Sequence, residues 1–191
     1  MILGITGGSG CGKTTLLSLI ARQGGVVLDC DAIYHRLLAS DPALTQAIEA
    51  RFPGVVSGGE LDRKKLGKLV FSDEAALLAL NGITHAAVKQ EVLRRLTPRP
   101  SLGAIDAIGL FEGELAPLCD VTVGVIAPEA ARIARLMHRD GIGEEYARSR
   151  IRAQHPDTWF REKCDYILEN AGSEGEFQAK CLAFLEKLAM I

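Results

Sequence analysis

The chain has 191 residues, of which 48% are hydrophobic and 24% charged, with a formal net charge of −2. That length suits one large domain or a core with insertions, and the apolar fraction is enough to bury a proper core. The near-neutral balance argues against a general affinity for nucleic acid or anionic membrane surfaces.

Taken in chain order, Ile2 to Thr6 read as a short buried strand ended by Gly7-Gly8-Ser9-Gly10-Cys11-Gly12. Lys13 to Arg22 read as a helix with Leu16, Leu17 and Ile20 on its apolar face. Val26 to Leu28 predict a second strand, closed by Asp29-Cys30-Asp31. From Ala32 to Leu96 the pattern is mostly helical, broken at Pro42, at Pro53-Gly54 and at Gly58-Gly59. A third strand is expected over Gly103 to Ile108. A fourth is expected over Val121 to Ile126, β-branched and continuous as buried parallel strands are. Helical patterns cover Pro128 to Met137 and Glu144 to Ala153, and Tyr166 to Leu168 predict a last short strand. Ser173 with Glu176 three residues on forms a capping box for a C-terminal helix reaching Leu188.

Strands alternating with helices predict an α/β core with a five-stranded parallel sheet. The spacing is uneven, because roughly seventy residues separate strands two and three and roughly forty separate strands four and five, where an ordinary crossover needs about a dozen. Two helical insertions at the carboxyl edge of the sheet follow from that.

The five cysteines, Cys11, Cys30, Cys119, Cys164 and Cys181, form no CxxC pair and are odd in number. They fit a reduced protein better than a disulfide framework or zinc site. The four histidines are scattered without ligand spacing. The N-terminus lacks a charged region before an apolar run, and no segment approaches a membrane span, so a soluble cytoplasmic protein is expected.

Gly7-Gly8-Ser9-Gly10-Cys11-Gly12-Lys13-Thr14 fits GxxxxGK[ST], with a strand before it and a helix after it. Glycines let backbone N–H groups converge on phosphate oxygens, and the helix N-terminus adds positive potential. Gly8 to Thr15 are therefore expected to cradle a nucleoside triphosphate. Lys13 would reach its β- and γ-phosphates and the Thr14 hydroxyl would meet Mg²⁺.

Asp29 and Asp31 follow the second strand, at the sheet edge where α/β proteins bind ligands. Two readings stand. If extended, both carboxylates face one site, to take a proton from an acceptor hydroxyl or to hold Mg²⁺. Alternatively, one of them simply caps the next helix.

Arg132, Arg135 and Arg139 share a helix face, either as a lid closing on phosphates or as a solvated surface. Asp106, inside the third strand, is a second Mg²⁺ contact or a structural hydrogen-bonded group. Asn170 meets adenine or serves a turn. His85 is by default a helix-surface residue.

Taken together, these residues resemble the dephospho-CoA kinase family over nearly the whole chain. The likeness begins with Gly4-Ile5-Thr6 and the glycine loop, then Leu28-Asp29-Cys30-Asp31-Ala32-Ile33. It continues through Gly59-Glu60-Leu61-Asp62-Arg63, Leu66, Val70-Phe71 and Leu80-Asn81-Gly82-Ile83-Thr84-His85. It resumes with Asp106, Leu110-Phe111-Glu112, Arg135, Arg139-Asp140, Ala147, Arg150-Ile151, Gln154, Asp165-Tyr166-Ile167 and Asn170. Two departures are Ala86 after His85, where the family usually has proline, and Ile108-Gly109-Leu110, where it usually has Pro-Leu-Leu.

The resemblance implies a nucleoside-monophosphate-kinase-like core (residues 1–32, 101–127 and 157–191), a CoA-substrate domain (33–100) and a lid (128–156). It implies transfer of the ATP γ-phosphoryl group to the ribose 3′-hydroxyl of dephospho-CoA. Asp31 matches the family's catalytic carboxylate and Arg139 its lid arginine, with Lys13 completing the catalytic set; Arg139 is therefore expected to reach phosphate when the lid closes, and Arg132, one to two turns away, to stand clear and tolerate lysine. Asp31, His85, Asp106 and Glu112 would meet the acceptor, Asn170 the nucleotide, and Thr14 with Asp106 the Mg²⁺. No nucleic-acid, membrane or obligate protein partner is expected. The rival expectations are another small-molecule or nucleoside/nucleotide kinase of this build, and a nucleotide-binding switch without acceptor turnover.

Overall fold

A computed structural model describes residues 1–70 and 72–189. Phe71, which carries part of the resemblance, lies outside the described residues. The main sheet has five parallel strands: β1 (Ile2–Thr6), β2 (Val26–Asp29), β5 (Gly103–Asp106), β6 (Val121–Ile126) and β7 (Tyr166–Glu169), in the order β2-β5-β1-β6-β7. Leu3 lies opposite Ala104 on one side and Val121 on the other, and Ile5 lies opposite Asp106 and Val123.

Successive strand residues point to opposite faces. Leu3, Ile5, Val123, Val125 and Leu168 pack with Leu16, Leu19 and Ile20 of α1 (Lys13–Arg22) and with Phe177, Cys181, Phe184 and Leu185 of α9 (Glu174–Ala189). Leu3, Ile5, Leu16 and Ile20 are wholly buried, each worth about 1.5–3 kcal/mol relative to exposure. The alternate residues face the other layer. Gly4 abuts Leu110 and Cys119, and Gly124 abuts Phe160 and Cys164 around α8 (Asp157–Lys163).

The chain divides into two compact units. The first comprises Met1–Leu28, Pro100–Leu110 and everything from Leu115 onward; it holds the sheet, α6 (Glu129–Asp140) and α7 (Glu144–Arg152). The second comprises Asp29–Arg99 with Phe111–Glu114. It contains α2 (Cys30–Ser40), α3 (Pro42–Arg51), α4 (Arg63–Val70) and α5 (Glu74–Arg95). Its own core joins Leu38, Leu44, Ile48, Phe52, Leu66, Val70 and Leu80. Aspartates start its helices. Asp41 Oδ1 accepts from Ala43 and Leu44 N–H ahead of α3, and Asp73 Oδ1 accepts from Ala75 and Ala76 N–H ahead of α5.

Four local expectations change. The third strand of the sheet stops at Asp106, short of Ile108. Gly58-Gly59 does not merely interrupt helix. With φ of 61° and 86°, the pair forms the two-residue turn of a hairpin, β3 (Val56–Ser57) with β4 (Glu60–Leu61). Helix α8 went unread in sequence because its seven residues offer little periodicity. Finally, Asp29 and Asp31 are not both extended. Asp29 Oδ1 accepts from Ala32 N–H at 2.9 Å, the helix begins at Cys30, and Asp31 lies in its first turn. The cap is therefore Asp29, and the shared-face geometry expected of an extended pair does not arise. The Ser173–Glu176 capping box is present: Glu176 Oε2 accepts from Ser173 N–H at 2.7 Å, and Glu176 N–H donates back to Ser173 Oγ at 3.3 Å. No described helix is long and apolar enough to cross a membrane.

Candidate active site

The glycine loop runs from the end of β1 into α1, and Gly7, Gly10 and Gly12 adopt φ of 140°, 79° and 98°. Gly7 leaves no room for a Cβ against the Val125 carbonyl, and Gly12 leaves none against the Asn170 amide. Only glycine satisfies both the conformation and the close approach.

Every carbonyl from Gly7 to Gly12 meets a donor. Lys13 Nζ donates to Gly7 O at 3.0 Å, Arg132 Nε to Ser9 O at 3.0 Å, Arg135 Nη1 to Gly10 O at 3.0 Å and Asn170 Nδ2 to Cys11 O at 2.9 Å. Backbone N–H groups serve the other two, Cys11 to Gly8 O at 3.3 Å and Thr15 to Gly12 O at 3.1 Å. An anion-binding loop must turn its N–H groups one way and its carbonyls the other. Donors fastened to the carbonyls hold that orientation before any ligand arrives. Two of those donors are guanidinium groups, and a third is ammonium.

Gln154, just past α7, joins the same network. Its Oε1 accepts from Ser9 N–H and from Arg132 Nη2, both at 2.9 Å, and its Nε2 donates to Ser9 Oγ at 2.8 Å. Arg132 is only 4% exposed. The expectation that Arg132 stands clear of the phosphate site is thus overturned. The spacing of the arginines defined their face correctly but not which end of the helix docks on the loop. Nothing in composition singled out Gln154; only its place in the Arg-Ile–Gln series hinted at it.

Arg139 lies at the other end of α6, with its side chain 60% exposed, and pairs with Asp140 through Nε at 2.6 Å and Nη2 at 3.0 Å. Arg150 Nη1 adds a third contact to Asp140 at 2.6 Å. These hydrogen bonds, Arg139's first, pull the Asp140 carboxyl down to about 2. Arg148 pairs with Glu144 and Glu129 on the surface. In this structure, therefore, Arg139 contacts its neighbours rather than the glycine loop. Cys11 is buried within the loop. Burial pushes its thiol up, with Arg132 and then Lys13 pulling against that.

The other predicted residues fall as follows. Thr14 is exposed in the first turn of α1. It and Thr15 border a cleft of about 300 Å³ that also takes in Ser18, Arg22, Glu174 and Gln178. Asp106 ends β5, in register with Ile5 just before the loop. Asn170 is 5% exposed and donates Nδ2 to Cys11 O, a partner that neither the adenine nor the turn reading included; its Oδ1 is buried with no hydrogen-bond partner among the described residues. Asp31 is exposed in α2, His85 half-buried in α5, and Glu112 exposed within the 111–114 segment, all three in the second unit. Asp29 is the last residue of β2, a strand of the same sheet whose β1 leads into the loop, and Asp31 comes two residues later in α2. Among the described residues no group of three or more His, Cys, Asp or Glu gathers to hold a metal ion.

Comparison with known proteins adds to this geometry. A family model described as dephospho-CoA kinase matches residues 1–176. A dephospho-CoA kinase of Latilactobacillus sakei is 33% identical over 189 residues, covering 96% of this chain and 94% of that protein. A crystal structure of a Thermus thermophilus protein, TT1252, superposes with a TM-score of 0.80 at 34% identity, covering 98% of this chain and 97% of its own. Shikimate kinase from Acinetobacter baumannii, at 18% identity and a TM-score of 0.56, shares the fold alone.

Proposed function

We infer the division of labour in this site from one premise: the chain belongs to the dephospho-CoA kinase family. It is an ATP-dependent kinase that phosphorylates the ribose 3′-hydroxyl of dephospho-CoA to give coenzyme A and ADP, the last step of coenzyme A synthesis. The observation that carries the chemistry is the glycine loop with all its carbonyls, Gly7 to Gly12, held by donors. Such a loop receives polyphosphate without reorganising, so its dipoles act at full strength when charge shifts.

In the transfer, the bond from the γ-phosphorus to the β–γ bridging oxygen breaks, and a bond to the acceptor oxygen forms. ADP leaves with the electron pair. Asp31 is the group proposed to take the hydroxyl proton. Its carboxylate is exposed and relieved of capping, because Asp29 performs that task. Lys13 would leave Gly7 O to follow the β- and γ-phosphates, and Arg139 would release Asp140 to meet the transferring group. Arg132 and Arg135 keep the loop in shape throughout.

Thr14 and Asp106 suit Mg²⁺ as hard oxygen donors, one at the first turn of α1 and the other ending the strand beside β1. So small a protein set fits an ion held chiefly by phosphate and water, and that ion supplies charge neutralisation at the phosphates. His85 and Glu112, in the second unit, are proposed to contact dephospho-CoA.

The test is ADP release with dephospho-CoA, pantetheine phosphate, AMP and nucleosides as competing acceptors. Turnover stimulated by dephospho-CoA far above the others is expected. Preference for AMP or a nucleoside would move the enzyme to another kinase class, and ATP binding without acceptor-dependent turnover would make it a switch.

A further inference from the structure

We propose that Arg132 and Gln154 are positioning residues for phosphoryl transfer, and that the charge of Arg132, paired only at long range with an exposed carboxylate, is part of the phosphate site's field. The proposal rests on the reading of the glycine loop as the ATP phosphate site and concerns the nucleotide side alone.

Three side chains close a ring. Arg132 Nε donates to Ser9 O, Arg132 Nη2 to Gln154 Oε1, Ser9 N–H to the same Oε1, and Gln154 Nε2 to Ser9 Oγ, all between 2.8 and 3.0 Å. Two donors converging on one Gln154 atom fix which end of the amide is oxygen. The ring ties both ends of the 128–156 segment, the first turn of α6 and the second residue past α7, to one residue of the loop.

The partners in the ring are neutral. The carboxylate of Asp157 lies 3.9 Å from Arg132 Nη1, at the outer limit of an ion pair, and is 42% exposed. Holding a guanidinium at 4% exposure against carbonyl and amide oxygens is costly. The cost is explained if the compensating charge arrives with the ligand. Ser9 lies in the middle of a loop shaped for a polyphosphate, and its carbonyl dipole, capped by Arg132, no longer opposes an anion on the loop's other side. Two residues on, burial pushes the Cys11 thiol up, and the Arg132 charge pulls against that more strongly than the Asp157 charge reinforces it. A neutral glutamine at position 154 adds no second carboxylate to the distant one of Asp157.

Gln154→Glu separates this role from bracing. A glutamate accepts the same bonds from Ser9 N–H and Arg132, and the Ser9 hydroxyl can turn to donate to it. As a brace alone, the variant should equal or exceed the parent in melting temperature and in ATP binding. If the Arg132 charge matters, melting temperature is kept while the Kd for Mg·ATP, measured by calorimetry without acceptor, rises on the order of ten- to hundredfold. KM for dephospho-CoA should barely move. Unchanged Kd for Mg·ATP in a folded variant overturns the proposal.

A second pair keeps the test decisive if that variant does not fold. Arg132→Lys keeps the charge and Arg132→Gln discards it, while both lose the fork. The lysine variant should bind Mg·ATP at least several-fold more tightly, and equal affinities would overturn the proposal. Because the readout is nucleotide affinity, a failure here is distinct from a failure of the acceptor assignment.

Discussion

The two ends of α6 carry the same residue type on the same stripe and behave oppositely. At the near end Arg132 is buried and spends its guanidinium on the glycine loop and Gln154, while Arg135 holds the next carbonyl. At the far end Arg139 is exposed and bound to Asp140, which Arg150 shares. The root of the 128–156 segment is thus part of the glycine loop's architecture. Its tip adds exposed ion pairs, which are weak, to the small apolar cluster of Ile133, Leu136, Ala147 and Ile151 that joins α6 to α7. Groups that shape a loop should be fixed before the ligand arrives, whereas a group that stabilises transferring charge must be releasable. One helix supplies both because only one of its ends is docked.

The largest effect expected in breaking that contrast lies at the loop. Lys13→Ala removes the one loop donor proposed to move, and should cost on the order of 10²–10³-fold in kcat. Melting temperature should hold, because Arg132, Arg135 and Asn170 still secure the carbonyls. Near-normal turnover would mean that Lys13 only braces Gly7.

The next contrast repeats the theme with carboxylates. Asp31→Asn should lower kcat by roughly 10²-fold or more with melting temperature unchanged. Asp29→Ala should do the reverse, costing about 0.5–2 kcal/mol of stability through the lost cap on Ala32 N–H. Thermal melts beside steady-state rates sort the two, and a swap of phenotypes would exchange the roles.

The smallest effect concerns Asp140. Its folded pKa of about 2 lies below the ordinary 3.8. Whatever its ion pairs contribute is therefore present above the ordinary value and lost as pH falls through about 2. Between about pH 5 and 8 it stays ionised, so Asp140→Asn should leave the shape of the kcat–pH profile unchanged there. An apparent pKa in that range that vanishes in the variant would contradict this.

Much of the fold was legible because its signals are local. The glycine loop demands backbone conformations that only glycine adopts freely, and β6 is a continuous β-branched run. The capping box at Ser173 needs nothing beyond three residues of context. What stayed hidden depended on packing or on residues with two uses. An aspartate after a strand serves equally as cap or as base, and only the start of α2 at Cys30 assigns the cap to Asp29. Arginines at helical spacing announce a face but not the end that docks, which is why Arg132 looked dispensable. Gln154 bears no charge and sits at a helix end, so its role exists only once Ser9 is beside it. Asn170 stood between adenine and a turn because a residue after the last strand gives no hint that Cys11 O lies within reach.

The most direct test of the root-and-tip account is a parallel measurement of melting temperature and kcat in Arg132→Ala and Arg139→Ala. Arg132→Ala strands the Ser9 carbonyl and should cost about 1–3 kcal/mol, or roughly 2–10 °C in Tm, together with weaker ATP binding. Arg139→Ala should melt within about a degree of the parent while kcat with dephospho-CoA falls on the order of 10²-fold or more. Two variants with the same Tm and near-parental kcat would contradict the account, since both arginines would then be ordinary surface charges.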